Sequence, residues 1–221
     1  MFPSHDRHVS QVTPDYFTIK HTLYNYQQFT GTADSIERVS FKMNGLNNPV
    51  LTQTTPNIQQ PMGTDIRQTE FNYYRVLKAF IKFTYISECP FTQLAGFEVN
   101  DQSGSYLAGS APRAFAESKQ THHAIIPKTV SDNKAPRTVV FTYEFDPNRD
   151  HHVTETGVEG RWTAKTSDPT AIHNIHFTAC LANGGSTNWT TFHNEIITEI
   201  IYLTQWREAV TTIWGTPDTD I

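Results

Sequence analysis

Residues 137–145 read RTVVFTYEF. Val139, Phe141, Tyr143 and Phe145 share one parity; Thr138, Val140, Thr142 and Glu144 share the other. Side chains of an extended chain point to alternate sides with a period of two. A ring-rich row opposed by a row of threonine and glutamate is therefore the pattern of a strand with one face on a core and one face toward water. β-Branched and aromatic residues fit such a half-buried, pleated surface. The stretch predicts a strand over 137–145.

The same pattern recurs on both sides of it. In Tyr16–Phe29, the residues Phe17, Ile19, His21 and Leu23 share a parity. Val39, Phe41 and Met43 do so in Ile36–Met43. In Val76–Ile86, the residues Ile81, Phe83 and Tyr85 oppose Lys82 and Thr84. Leu94–Asn100 and Ile172–Ala182 are further strands. In Ile196–Ala209, Ile200, Tyr202, Thr204 and Trp206 oppose Glu199, Ile201, Leu203 and Gln205. These are seven strands, and eight if the stretch Thr121–Lys128 contains one. Helical signal is confined to Asp65–Tyr74 and Pro112–Lys119. Many strands without a βαβ rhythm predict an all-β protein of two packed antiparallel sheets. No shift in composition marks a second unit, so residues 1–221 are expected to form one domain. Residues 1–14 are expected to be a flexible segment and 215–221 an exposed tail.

A chain of 221 residues can bury a substantial core without covalent staples. Its two cysteines, Cys89 and Cys180, are too few for a disulfide framework and lack zinc spacing. They are expected to be buried free thiols. The net charge is −5 and uneven: residues 1–94 carry 8 Lys/Arg against 7 Asp/Glu, and residues 95–221 carry 9 against 15. Such a balance gives no long-range pull toward nucleic acid, so any contact with DNA or RNA needs a local basic patch. No apolar run approaches the roughly 20 residues of a membrane helix, and no membrane partner is expected. Residues 1–17 lack the apolar stretch of a secretory signal.

Catalytic and metal chemistry find little support. His173 and His176 have HxxH spacing, but residues three apart on a strand face opposite sides. The adjacent pairs His122-His123 and His151-His152 diverge for the same reason. His176, His193 and Glu195 are the remaining metal-ligand types, and their spacing does not single them out. There is no G-x-S-x-G elbow and no phosphate-cradling glycine motif. No enzyme activity, metal or cofactor is expected.

Two groups of residues point to contacts. Arg38 and Lys42 lie on one expected strand, and Arg75, Lys78 and Lys82 lie in or beside another. Were these strands neighbours in a sheet, the five cations would form one basic face suited to sequence-blind phosphate contacts. Trp162, Trp189 and Trp214 fall outside the expected strands and are the expected anchors of a subunit interface.

One segment is more specific. Phe71-Asn72-Tyr73-Tyr74-Arg75-Val76-Leu77-Lys78-Ala79-Phe80-Ile81-Lys82-Phe83-Thr84-Tyr85 resembles the "YYRV…K.k.tf" strand of circovirus-like capsid proteins. Phe41-Lys42-Met43-Asn44-Gly45-Leu46-Asn47-Asn48-Pro49 is similar to their "F.lN.l.dP" element, and Gln59-Gln60-Pro61-Met62-Gly63 to their "QPxG" loop. Tyr16–Lys20 resembles the first strand and Tyr143-Glu144-Phe145-Asp146-Pro147 a strand running into a proline turn. Ile200–Glu208 resembles the last strand, "yv.FRe". The order and spacing of these elements span most of the chain.

The resemblance implies an eight-stranded jelly roll with long loops. It implies a capsid protein that assembles with itself into a small icosahedral T=1 shell around circular single-stranded DNA. It further implies residence in the virion, passage through the host nucleus during assembly, and a host receptor. The chain departs from the family in one respect. Members of this family begin with a long arginine-rich arm, whereas residues 1–20 here hold only Arg7 and Lys20, balanced by Asp6 and Asp15. Neither arm-mediated genome binding nor an import signal is legible, and counterion release falls to cations of the folded domain. The competing reading is a jelly-roll module that binds carbohydrate or another ligand, because fold does not decide function. Such a module would stay monomeric and present aromatics in a groove.

Overall fold

A computed structural model of the chain describes residues 16–31, 37–51, 59–101, 117, 121–128, 136–150, 162–182 and 192–210. The strands are β1 (Tyr16–Gly31), β2 (Glu37–Lys42), β3 (Phe71–Ser87), β4 (Gln93–Asn100), β5 (Thr121–Ile126), β6 (Arg137–Phe145), β7 (Thr163–Ala164), β8 (Asn174–Leu181) and β9 (Phe192–Ala209). The described residues also include the short helices α1 (Thr64–Glu70) and α2 (Pro147–Asp150).

The strands form two antiparallel sheets. Sheet I runs β1-β9-β3-β6, with β7 also paired to β3; sheet II runs β2-β8-β4-β5. The chain crosses repeatedly from one sheet to the other, and its last described strand returns between the first and the third. Two four-stranded antiparallel sheets interleaved in this order are a jelly roll. All eight strands expected from the sequence are present, with ends that differ by a few residues.

Three local differences have physical causes. The helix expected over Asp65–Tyr74 stops at Glu70, and Phe71–Tyr74 are strand. Phe71 and Tyr74 are buried there beside Trp206, so tertiary burial of aromatic β-formers outweighs continued helix. A register shift between Val76 and Lys78 places an extra residue in β3. This bulge exchanges the buried parity from Tyr74 and Val76 to Ala79, Ile81, Phe83 and Tyr85. The pairing of β7 with Tyr73 and Tyr74 was not expected, being two residues long and without periodicity. Apart from Glu117, the expected helix Pro112–Lys119 lies outside the described residues, as do the segments 1–14 and 215–221.

The core is a ladder of rings between the sheets. Phe83 lies 5.1 Å from Phe177, 5.9 Å from Phe41 and 6.0 Å from Phe97, and Phe141 lies 5.8 Å from Phe177. Phe83 and Phe141 come from sheet I, and the other three from sheet II. Tilted and edge-on pairs of this kind add roughly 0.5–1.5 kcal/mol each beyond area burial. Gly96 shows how closely β5 approaches β4: a Cβ there would lie 2.1 Å from the His122 carbonyl oxygen. Cys89 and Cys180 are buried thiols, and burial pushes the Cys180 thiol up to about 11.

Phe83→Ala removes a ring at the centre of this ladder. It is expected to cost about 3–5 kcal/mol in urea unfolding. Val140→Ala, on the open side of sheet I, is expected to cost under about 0.5 kcal/mol.

Candidate interaction surface

The outer faces of the two sheets differ. On the two central strands of sheet II even the outward side chains are buried: all eight residues of β8 are, as are Glu98 and Asn100 of β4 and the neighbouring Ser40, while the edge strand β5 leaves His123 and Ile125 exposed. There the Ser40 hydroxyl lies 2.7 Å from His176 Nδ1, and His176 Nε2 lies 3.0 Å from Asn100 Oδ1. The Asn100 amide in turn donates to Glu98 at 3.1 Å. Such a row satisfies polar groups that burial would otherwise penalise.

Sheet I is open on its outer side. Across it run parallel rows of paired positions. Tyr16, Arg207 and Tyr73 form one row; Thr18, Gln205 and Arg75 the next. Further along lie the rows Thr22, Ile201, Phe80, Glu144 and Tyr24, Glu199, Lys82, Thr142. The face is polarised. At one end stand Lys20, Arg75 and Arg207. At the other, Glu199 and Glu195 accept hydrogen bonds from the hydroxyls of the exposed Tyr24 and Tyr26, both at 2.9 Å.

The basic end is built around Trp162, the residue just before β7. Its ring stacks on Tyr16 with centroids 5.7 Å apart and planes 17° apart. The Arg207 guanidinium lies 4.4 Å from the Trp162 ring and the Arg75 guanidinium 4.6 Å from it. Arg207 also lies 5.5 Å from the ring of Tyr73, and Arg75 donates twice to Gln205, at 2.9 and 2.6 Å. Cation–π contacts of this geometry hold guanidinium groups in place while leaving their charge intact.

The five cations singled out in the sequence do not share a face. Arg38 and Lys42 belong to β2 in sheet II, while Arg75, Lys78 and Lys82 belong to β3 in sheet I. The condition for one basic face, adjacency of the two strands, is not met. Lys42 is buried and its ammonium lies 2.5 Å from Asp168, which anchors the loop after β2 to the segment after β7. Arg38 lies on the outer face of sheet II, paired in register with Thr178. The bulge lets Arg75 and Lys78, three residues apart, both face outward from sheet I. Lys78 is matched there by Glu144 at 3.1 Å and Asp146 at 3.4 Å, whose carboxylates raise its ammonium above the ordinary value. Lys82 lies between Thr142 and Glu199. Arg207 and Tyr16, which the sequence pattern places in neither group, complete the cluster; neither carries a periodic signal that distinguishes it from an ordinary strand residue.

Of the expected interface tryptophans, Trp162 packs on its own sheet as described. Trp189 and Trp214 lie outside the described residues. The expected metal-ligand types are on different sheets: His176 lies on sheet II and β9, which carries Glu195, on sheet I. His173 stacks against Phe145 at 4.5 Å and lies 3.0 Å from the Tyr143 hydroxyl. Among the described residues no group of three or more His, Cys, Asp or Glu is placed to hold a metal ion.

At one end of the sandwich the loop before α1 is pinned to β1. The Met62 amide donates to the Thr22 carbonyl at 3.0 Å, and His21 Nδ1 donates to the Met62 carbonyl at 3.0 Å. Gly63, with φ +80°, follows in the left-handed region that glycine tolerates. The Met62 side chain is left 79% exposed, and Ile66 on α1 is exposed as well.

No protein-family model matches the chain, and no curated protein matches it. Solved structures do. A structure of tobacco necrosis virus is similar over 90% of this chain and 85% of its own, with a TM-score of 0.50 and 10% identity. A structure of cucumber leaf spot virus matches 90% of this chain and 52% of its own, with a TM-score of 0.49 and 14% identity. A decameric BFDV capsid protein matches 87% of this chain and 99% of its own, with a TM-score of 0.39 and 11% identity. At 10% identity the likeness to the tobacco necrosis virus structure is one of fold, and it accords with the jelly-roll strand order.

His21 gives the loop anchor a pH dependence. Its Nδ1 proton is held by Met62, and Nε2 is buried without a partner, edge-on to Trp206. Burial holds the imidazole below its ordinary value, with the Arg67 charge acting in the same direction. Below about pH 6.5 the unfolded chain takes up a proton at His21 that the folded chain resists. Stability is therefore expected to fall as pH drops through that window. His21→Gln should reduce the difference between urea unfolding free energies at pH 7.5 and pH 5.5; an unchanged difference would contradict the assignment.

Proposed function

We propose that this chain is a viral capsid protein that assembles with copies of itself into a closed shell and catalyses no reaction. The observation that carries the reading is the strand order, β1-β9-β3-β6 facing β2-β8-β4-β5, in a fold shared over most of both chains with the tobacco necrosis virus structure. The ordered resemblance of Phe41–Pro49, Phe71–Tyr85 and Ile200–Glu208 to circovirus-like capsid proteins supports the same conclusion. It adds the finer reading: a T=1 shell of one protein around circular single-stranded DNA, residing in the virion.

The architecture suits that work. Two sheets locked by a ring ladder make a rigid block, and a closed shell needs subunits whose contacts repeat at fixed angles. Contacts then fall to the loops at the ends of the block. Met62 and Ile66 offer apolar surface on a loop whose backbone is tied to β1, so docking them orders little additional chain. Trp189 and Trp214 are assigned to further contacts of the same kind. Each contact is modest alone, and a subunit held by several neighbours gains avidity.

Sedimentation velocity of the purified protein tests the reading. A large, uniform particle is expected. A single 25.1 kDa species across ordinary salt and pH would overturn it. The double variant Met62→Asp, Ile66→Asp should keep the fold and its thermal unfolding while shifting material from particles to small species.

A further inference from the structure

We propose that the basic end of the outer face of sheet I is a binding site for single-stranded nucleic acid, where a base stacks on the ring of Tyr16 and the flanking phosphates meet Arg75 and Arg207. The site rests on the capsid reading only for its biological setting. Its chemistry stands on four side chains that three strands and the residue before β7 bring together.

Three observations carry it. First, Tyr16 is 46% exposed although its ring is stacked on Trp162. A stack with an exposed outer ring is a platform that a further flat ring extends, and every base presents such a ring. Second, Arg75 and Arg207 lie 4.6 and 4.4 Å from the same Trp162 ring, so two guanidinium groups are held beside the platform before any ligand arrives; the exposed Glu208 carboxylate, 3.8 Å from Arg207 Nε, is the group a phosphate would displace. Planar guanidinium groups match phosphate oxygens in pairs, and groups already held in place lose less freedom on binding. Third, the face is one-sided. Lys20 extends the positive end along β1, while Glu195 and Glu199 occupy the far end, where Lys82 is paired in register with Glu199. A phosphate chain is drawn to the first end and repelled by the second. Tyrosine rings occur at both ends, so charge selects Tyr16 over Tyr24 and Tyr26.

The site differs from the basic face that the sequence suggests. It omits Arg38 and Lys42, which belong to sheet II, and Lys78, which is matched by Glu144 and Asp146. It adds Tyr16, Trp162 and Arg207. Base stacking and phosphate pairing carry no sequence readout, so binding is expected to tolerate any base and to weaken steeply with salt.

The test uses the full chain freed of nucleic acid, titrated with a fluorescent oligothymidylate of about twelve residues, a length within the range such sites occupy. Tyr16→Ala should weaken binding by about 5- to 150-fold at unchanged thermal unfolding, and Tyr16→Phe should restore it. Arg207→Gln should lower the slope of log affinity against log salt by about one. Tyr24→Ala, at the acidic end, should bind like the unaltered chain. Polyphosphate of equal charge should compete poorly. Equal competition by polyphosphate, or an undiminished affinity of Tyr16→Ala, would overturn the site. Should Tyr16→Ala unfold, photo-crosslinking of a 5-iodouracil oligonucleotide to the unaltered chain decides: adducts are expected on peptides containing Tyr16 or Trp162, and adducts confined elsewhere refute it. Particles that form without these contacts would sink the site alone, and a monomer that shows them would sink only the shell.

Discussion

The register of β9 between β1 and β3 is the constraint on which the rest depends. β9 is eighteen residues long and pairs along its length with both neighbours. Its inward row, Ile196, Ile200, Tyr202 and Trp206, lies in the core, and its outward row runs from Glu195 to Arg207. Side chains alternate, so a slip of one residue would send every ring of the inward row to water. The same register fixes the surface. Trp206 is buried against Phe71 and Tyr74, and the next residue, Arg207, is thereby delivered to the outer face beside Trp162. The interior and the candidate site are two sides of one ladder.

Much of this ladder was legible in the sequence. The alternation of Ile200, Tyr202, Thr204 and Trp206 against Glu199, Ile201, Leu203 and Gln205 separates core from surface as the structure does. So does that of Phe141 and Phe145 against Thr142 and Glu144. Sheet II was less legible. Asn174–Leu181 is buried on both faces, so its polar residues Asn174, His176 and Thr178 do not mark a wet side. The pairing of strands was not legible at all. Whether β2 lies beside β3 is decided by the crossing of the chain between sheets, and period-two alternation is silent about partners. Grouping Arg38 and Lys42 with Arg75 therefore failed. Trp162 stands out in the sequence as a tryptophan outside the expected strands, but its neighbours Tyr16, Arg75 and Arg207 come from three distant stretches that only the sheet order assembles.

The contrast between the two sheets gives the block a direction. The outer face of sheet II is closed at its centre over a row of hydrogen-bonded polar groups, while that of sheet I is open, with the exposed Phe80, Val140, Ile197 and Leu203 interspersed with charged residues such as Lys78 and Glu144. Open sheet faces of this kind mark surfaces that meet something other than water. In a closed shell every subunit turns one side toward the lumen. On the capsid reading proposed above, the face proposed to take nucleic acid belongs on that side, which leaves the loop that carries Met62 and Ile66 to meet neighbouring subunits at the end of the sandwich.

A cryo-electron microscopy reconstruction of the purified protein tests this picture most directly. The account predicts closed particles in which each subunit is the two-sheet block, with the Tyr16–Trp162 end of sheet I lining the lumen. Isolated subunits, or particles in which that face looks outward, would contradict it.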